Sequence, residues 1–373
     1  MRGSSFEDVK ERPFERIIVI SLSGVGDTIL STPLCRALRG KYRDAYLCGL
    51  TMWKGSAAVL GHLAIFNEII QHDFFRAPLR QSLEVLRNLR KRRFDLSVVV
   101  YPANRAHYNI VSWLIHARYR LGHEYLVGHS LTYWRYLLTH RVRQTQGTHN
   151  VHENLKLAET LGIPWEASGI DIGTLGEDEA QWAEQLCAGK PPPRLGIHPG
   201  CSPLKNHTYR RWPAERYAQL ACQFSARTGG SAMVFLGPDE TGLKSIFEEA
   251  GPGTTLVSDT SIERVAAAIR RCDLFICSDS SLGHMAAACS VPVIMILGPT
   301  NSDYIHPWGV PYRIVSRRLP CSPCFEISRS PLRCKAGLNY ACIRDIDVGT
   351  VLESCLDLLR GISRDLRVTG AST

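Results

Sequence analysis

Short aliphatic and β-branched runs alternate along the chain with longer stretches of helical spacing. Residues 16–22 (Arg-Ile-Ile-Val-Ile-Ser-Leu) predict a buried strand. A glycine-rich turn follows, then helical spacing as far as residue 39, with Thr32-Pro33 suited to a helix start or bend. Residues 45–50 and 96–101 predict further strands. Residues 79–93 predict an amphipathic helix with Leu83, Leu86 and Leu89 on one side and arginines elsewhere. The rhythm breaks over the acidic stretch 162–190, which ends in Pro191-Pro192-Pro193 and reads as a linker. A second series follows: strands at 194–198, 232–236, 274–277 and 293–297, and helices near 214–225, 241–250, 262–270 and 282–289. Strand–helix alternation of this kind predicts parallel sheets covered on both faces. The expected fold class is therefore α/β: two doubly wound, Rossmann-like domains facing a cleft. The expected boundaries are 1–165, a linker at 166–193, 194–345, and a final helix and tail at 346–373.

At 373 residues the chain exceeds what one compact core usually holds. No apolar run approaches the ~18 residues of a membrane span. The charged start lacks the apolar stretch of a secretion signal, so a cytoplasmic location is expected. In that compartment thirteen cysteines argue for buried thiols, with one metal cluster among them as a candidate, and not for a disulfide framework. The net charge of +9 is concentrated: residues 76–143 hold 13 Arg and Lys against 3 Asp and Glu. Such a segment suits an anionic partner, or is simply a solvated face. It also carries nine aromatic residues, but no recognised nucleic-acid motif accompanies them, and no nucleic-acid partner is expected.

Three constellations carry chemistry. Ser23-Gly24-Val25-Gly26-Asp27-Thr28 follows the first strand directly. Ile29 stands where a dinucleotide fingerprint needs glycine, and no Gly-Lys-Ser/Thr ending makes a P-loop. Gly24 and Gly26 instead permit a tight turn that leaves Asp27 at the edge of the domain. Its carboxylate could take a proton from an attacking hydroxyl, or merely cap the next helix. The second constellation is Ser278-Asp279-Ser280-Ser281-Leu282-Gly283-His284, between a strand and a short helix. A helix start at Ser280–Gly283 offers backbone N–H groups to a phosphate, with Asp279 able to accept from ribose hydroxyls and His284 to donate to an anionic oxygen. The plainer alternative is a capped, alanine-rich core helix with a buried histidine. The third group is His198-Pro199-Gly200, Lys205, Arg210-Arg211-Trp212-Pro213 and, after another strand, Gly237-Pro238-Asp239-Glu240. It reads as a basic diphosphate site over an aromatic wall, with Glu240 toward a nucleoside.

The run Gly-Val-Gly-Asp-Thr-Ile-Leu-Ser-Thr-Pro from Gly24 resembles the opening motif of glycosyltransferase family 9, the heptosyltransferases of lipopolysaccharide core assembly. Arg-Arg-Trp-Pro-Ala-Glu-Arg-Tyr, Leu-Gly-Pro-Asp-Glu and Asp-Ser-Ser-Leu-Gly-His-Met-Ala-Ala-Ala resemble that family's donor-binding motifs, in the same order. The resemblance runs from about residue 17 to 359. It implies a GT-B type fold with an acceptor-binding N-terminal domain and a nucleotide-sugar-binding C-terminal domain. It also implies inverting transfer of a sugar, a heptose by family, from an ADP-sugar to a lipopolysaccharide-core or related acceptor. By position Asp27 matches the catalytic carboxylate, with Gly24 and Gly26 in the acceptor-side loop. Asp279, Ser280, Gly283 and His284 match the donor-site helix mouth, and Glu240 the acidic residue near the nucleoside; Lys205 and Arg210 would hold the diphosphate. Two positions depart from the family: Arg210 replaces a lysine, and Ser281 a glycine that follows Asp-Ser. No obligatory divalent metal is expected, since no Asp-x-Asp metal motif is read in the chain and basic groups would neutralise the leaving group instead. The basic segment would face an anionic glycan or glycolipid acceptor, or the cytoplasmic face of the inner membrane in peripheral contact. A family member that binds sugar nucleotide without transfer is the alternative, and the retained Asp27 argues against it.

Cys321-Ser-Pro-Cys324, Cys334 and Cys342 form the last group. Cys-x2-Cys suits a metal, while the wider second half matches no common zinc pattern. A structural tetrathiolate site for zinc or iron is one expectation; buried thiols or an oxidisable pair are the other.

Overall fold

A computed structural model describes residues 7–103, 106–125, 133–164, 169–249, 253–325 and 331–370, with side chains of 7–8 and 363–370 left aside. Arg105 of the basic segment and 166–168 of the expected linker fall outside these residues. The chain divides into two compact units, 1–174 and 175–373.

The first unit is built on six parallel strands: β1 (Arg16–Ser21), β2 (Tyr46–Thr51), β3 (Glu68–Gln71), β4 (Leu96–Val99), β5 (Tyr119–Glu124) and β6 (His140–Arg143). Their order is β3-β2-β1-β4-β5-β6. The unbroken apolar run of β1 has a direct cause. Ile17 and Val19 enter one core cluster, while Ile18 and Ile20 enter another. Successive side chains of a strand point to opposite faces, so a strand covered on both must be apolar throughout.

The second unit repeats the plan with β7 (Arg194–His198), β8 (Ser231–Phe235), β9 (Thr254–Val257), β10 (Leu274–Cys277), β11 (Val293–Ile296) and β12 (Tyr312–Val315). These are again parallel, in the order β12-β11-β10-β7-β8-β9. Each sheet therefore reverses its winding once, between β1 and β4 and between β7 and β10. In doubly wound sheets such switch points, at the carboxyl ends of the strands, open the crevice where ligands bind.

The stretch read as linker is more structured than its acidic, proline-ended sequence suggested. Glu177–Leu186 is a helix that packs on Ile262–Ile269, with Arg264 over the Trp182 ring at 5.3 Å. Three acidic residues in its first turn favour the helix N-terminus, so the acidity belongs to a helix start. The final helix, Val348–Gly370, packs on Ala214–Thr228 and β12 inside the second unit.

Candidate active site

In the first unit the chain leaves β1 through Leu22 and Ser23, and Ser23 Oγ donates to the carbonyl of Pro102 at 2.5 Å. Gly24 takes the N-cap position of the helix Val25–Leu30, and Asp27 Oδ2 accepts from the Gly24 amide at 3.2 Å. Asp27 thus caps the turn, and the contact fixes one half-buried carboxylate at the switch point. Below it, Thr28 joins Ser21 and Ser56 through hydrogen bonds of 2.9 Å each, fully buried. That anchors the short helix to the sheet. Gly26 is buried beneath the same turn.

In the second unit the residues after β7 and β10 meet. Ser280 caps the helix Ser281–Ala288, yet its hydroxyl is not spent on the cap; it shares a 2.8 Å hydrogen bond with buried His198 Nδ1. Ser281 is the first helical residue, so the departure from glycine at this place costs no left-handed backbone. Gly283 is required by packing: a Cβ there would stand 2.6 Å from Cys277 Sγ. Asp279 receives Arg210 in an ion pair and the Thr300 hydroxyl at 3.0 Å. Arg210 also donates to His207 Nδ1 at 3.2 Å and lies 4.9 Å from the Phe325 ring centroid. Next to it Arg211 donates to Glu240 Oε1 at 2.7 Å and to the carbonyl of Cys201. Glu240 is buried and also accepts from the Gly237 amide at 2.9 Å. Burial raises its carboxyl above the usual range, against the pull of Arg211. Gly200 keeps this corner open, since a Cβ there would lie 2.5 Å from Glu240 and 2.7 Å from His198. Lys205 is half-buried in a left-handed backbone (φ 55°), and its carbonyl accepts from the Leu332 amide.

Three buried nitrogens in this group have no protein partner: His284 Nδ1, Arg210 Nε and Arg211 Nε. Leaving a buried polar atom unsatisfied costs about 1–3 kcal/mol, so three of them together at a switch point make this group the candidate ligand site. The aromatic wall, however, is not Trp212. That indole is fully buried, with Nε1 donating to the Ile346 carbonyl at 2.9 Å, and it belongs to the core. Phe325 is the ring that lies against Arg210, and neither Phe325 nor the tie from Thr300 to Asp279 was signalled by a local motif.

The four late cysteines line one cavity of about 30 Å³. Among the described residues, though, no set of three or more His, Cys, Asp or Glu is arranged to hold a metal ion. The expected tetrathiolate zinc or iron site is therefore not supported. The expectation rested on the Cys-x2-Cys spacing, and contacts other than a shared metal order this loop. The amides of Cys324 and Phe325 donate to the Pro299 carbonyl at 2.9 and 2.8 Å, and Tyr340 stacks on Tyr209 at 4.4 Å. Burial and the neighbouring thiols push Cys342 up to about 11. The sequence does contain one Asp-x-Asp spacing, Asp345-Ile346-Asp347, but both carboxylates serve structure. Asp345 pairs with Arg317 at 3.0 Å, and Asp347 accepts from the Thr350 amide at 2.8 Å.

The family model of glycosyltransferase family 9 (heptosyltransferase) matches residues 82–334, more than half of the chain. The chain belongs to glycosyltransferase family 9. Lipopolysaccharide heptosyltransferase 3 of Escherichia coli is 24% identical over 300 residues, covering 76% of this chain and 84% of that protein. A solved family 9 glycosyltransferase from Veillonella parvula superposes with a TM-score of 0.76 at 22% identity, over 93% of this chain and 98% of its own. The Escherichia coli ADP-heptose heptosyltransferase II structure gives 0.71 at 21%, over 93% and 99%. The two-domain α/β fold of this glycosyltransferase is thus the GT-B fold of its solved relatives. The matched residues include the whole donor-side group and begin after Asp27.

Burial lowers His198 to about 3 and His284 to about 4. Both imidazoles are neutral in the folded family 9 enzyme at pH 7, whereas in the unfolded chain they titrate near 6.5. Between those values the unfolded state binds more protons, so stability falls as pH falls, by at most about 1.4 kcal/mol per pH unit for each histidine. The urea midpoint followed by Trp fluorescence is expected to drop from pH 6.5 to 5, with a shallower slope in His284→Gln. A midpoint independent of pH over that window in the wild type would contradict the neutral assignment.

Proposed function

We propose that this family 9 enzyme transfers a heptose, with inversion, from ADP-heptose to a saccharide acceptor of the lipopolysaccharide-core type. The observation that carries the donor side is the cluster of unpartnered buried nitrogens on His284, Arg210 and Arg211, beside the start of the helix Ser281–Ala288. A diphosphate supplies the acceptors that those nitrogens and the helix amides need. The relatives support the sugar and the base, for ADP-heptose is the donor named for the solved heptosyltransferase II.

In the proposed step an acceptor hydroxyl oxygen attacks the anomeric carbon from the side opposite the leaving group. Asp27 takes the hydroxyl proton as the new C–O bond forms. The bond from the anomeric carbon to the diphosphate oxygen breaks, and its electron pair leaves with ADP. The helix amides, Arg210, Lys205 and His284 meet the negative charge that develops there. Glu240, held by Arg211 and the Gly237 amide, faces the nucleoside hydroxyls. The reaction is placed in the cytoplasm, with an anionic acceptor presented at the membrane surface.

Native mass spectrometry of the purified chain with an equimolar panel of ADP-, UDP- and GDP-sugars tests the donor. Retention of the ADP-sugar alone is expected; preferential retention of a UDP- or GDP-sugar would overturn the donor assignment.

A further inference from the structure

The helix Leu79–Lys91 carries four basic residues against one acidic, and its exposed face is not purely polar. Leu86 and Leu89 are buried, as their spacing requires, but Leu83 is 36% and Leu79 74% exposed, and Phe75 just before the helix is 51% exposed. At 3.6 residues per turn, Leu79, Leu83, Arg80, Arg87, Arg90 and Lys91 fall within one arc of about 120°. All six are exposed. Among the described residues these four basic side chains have no acidic partner within 4 Å. Arg92 and Arg135, by contrast, are neutralised by Glu68 and Glu124, and Arg120 is absorbed by the carbonyls of Leu137 and Ala117. Glu84 sits at the margin of the arc, and Asp73, whose carboxylate accepts from the amides of Phe75 and Arg76, pairs with the Arg76 side chain at 4.0 Å and with none of the four.

The topology gives this face its place. All strands of the sheet are parallel, so the segments after β1 and β3 leave by the same edge. Asp27 and the exposed Phe75–Leu79 segment therefore lie along one rim of the first unit.

We propose that the exposed face of Leu79–Lys91, together with Phe75, is a docking surface for an anionic phospholipid bilayer. The inference deepens the reading that the acceptor is presented at a membrane, and assigns that contact to a surface. Charge complementarity decides the sign of the partner. The aliphatic side chains among the arginines decide its class, because leucines gain nothing against a phosphodiester backbone but can enter the boundary between headgroups and acyl chains. No helix among the described residues is long and apolar enough to cross a membrane, so the contact is peripheral.

Sedimentation of the full-length chain with vesicles tests it, without substrate. The wild type is expected to bind vesicles of phosphatidylcholine mixed with phosphatidylglycerol, more weakly as salt rises, and to ignore phosphatidylcholine alone. With about a fivefold loss per charge, Arg80→Gln/Arg87→Gln/Arg90→Gln should weaken partitioning on the order of 100-fold. Leu79→Ser should weaken it roughly tenfold. Both variants should keep the wild-type melting temperature and ADP affinity, since none of these residues belongs to the donor site. Absent binding by the wild type, equal binding to both vesicle types, or full binding by the triple variant would overturn the proposal. So would single-stranded DNA binding that the arginine variant loses and Leu79→Ser keeps, which would give the face to nucleic acid. Loss of ADP binding in the wild type with vesicle binding intact would sink the donor reading and leave the docking surface standing.

Discussion

Replacing Asp27 by asparagine is expected to lower kcat by a factor on the order of 10²–10⁴ while the fold stays intact. Asparagine keeps the size of the side chain, and its carbonyl oxygen can still accept from the Gly24 amide, the bond that closes the turn at 3.2 Å. The Ser21–Thr28–Ser56 hydrogen bonds beneath it do not involve the carboxylate. What asparagine cannot do is take a proton. Steady-state kinetics with matched thermal melting separates the two roles. Near-normal turnover in a normally folded Asp27→Asn would make the residue a cap and nothing more. The acceptor KM should change little, because the proton moves only as the bond forms.

The second large effect is expected at the donor site. His284→Ala and Arg210→Ala should each weaken ADP about 10- to 100-fold, the worth of a charge-assisted hydrogen bond of roughly 1.5–3 kcal/mol. Asp279→Ala should also weaken ADP, by a different route: it removes the carboxylate that, itself held by Thr300, joins His207 in holding the Arg210 fork beside Phe325. Arg210→Lys should recover part of the loss, since charge is kept while the planar fork is not. Calorimetry with ADP alone suffices. Wild-type affinity in both His284→Ala and Arg210→Ala would remove the donor site from this place.

Much of this was legible in the chain because β1, β10 and β11 are buried on both faces and so carry unbroken apolar runs at 17–20, 274–277 and 293–296. Edge strands were not. β3 (Glu-Ile-Ile-Gln) and β12 (Tyr-Arg-Ile-Val) are only partly buried, and their mixed sequences carry no such signal. The glycine turn and the Asp-Ser-Ser-Leu-Gly-His segment announced themselves because each follows a strand directly, where the fold puts its ligand crevices. The partners that fix those residues come from distant parts of the chain. His198 reaches Ser280 across 82 positions, and Arg210 reaches Asp279 across 69. Trp212 misled for the same reason: a Trp-Pro before a helix looks like a wall to a site until the Ile346 carbonyl is seen to hold its indole in the core. The cysteines misled through spacing alone, which shows a Cys-x2-Cys but not that Tyr209, Pro299 and Lys205 order the loop around them.

The most direct test of the central claim is a mass-spectrometric transfer assay with ADP-heptose and a truncated lipopolysaccharide-core acceptor. The wild type is predicted to add one heptose to the acceptor and release one ADP for each addition, with neither product formed at a comparable rate by Asp27→Asn. Release of ADP with free heptose and an unmodified acceptor, or an unchanged donor after prolonged incubation, would contradict it.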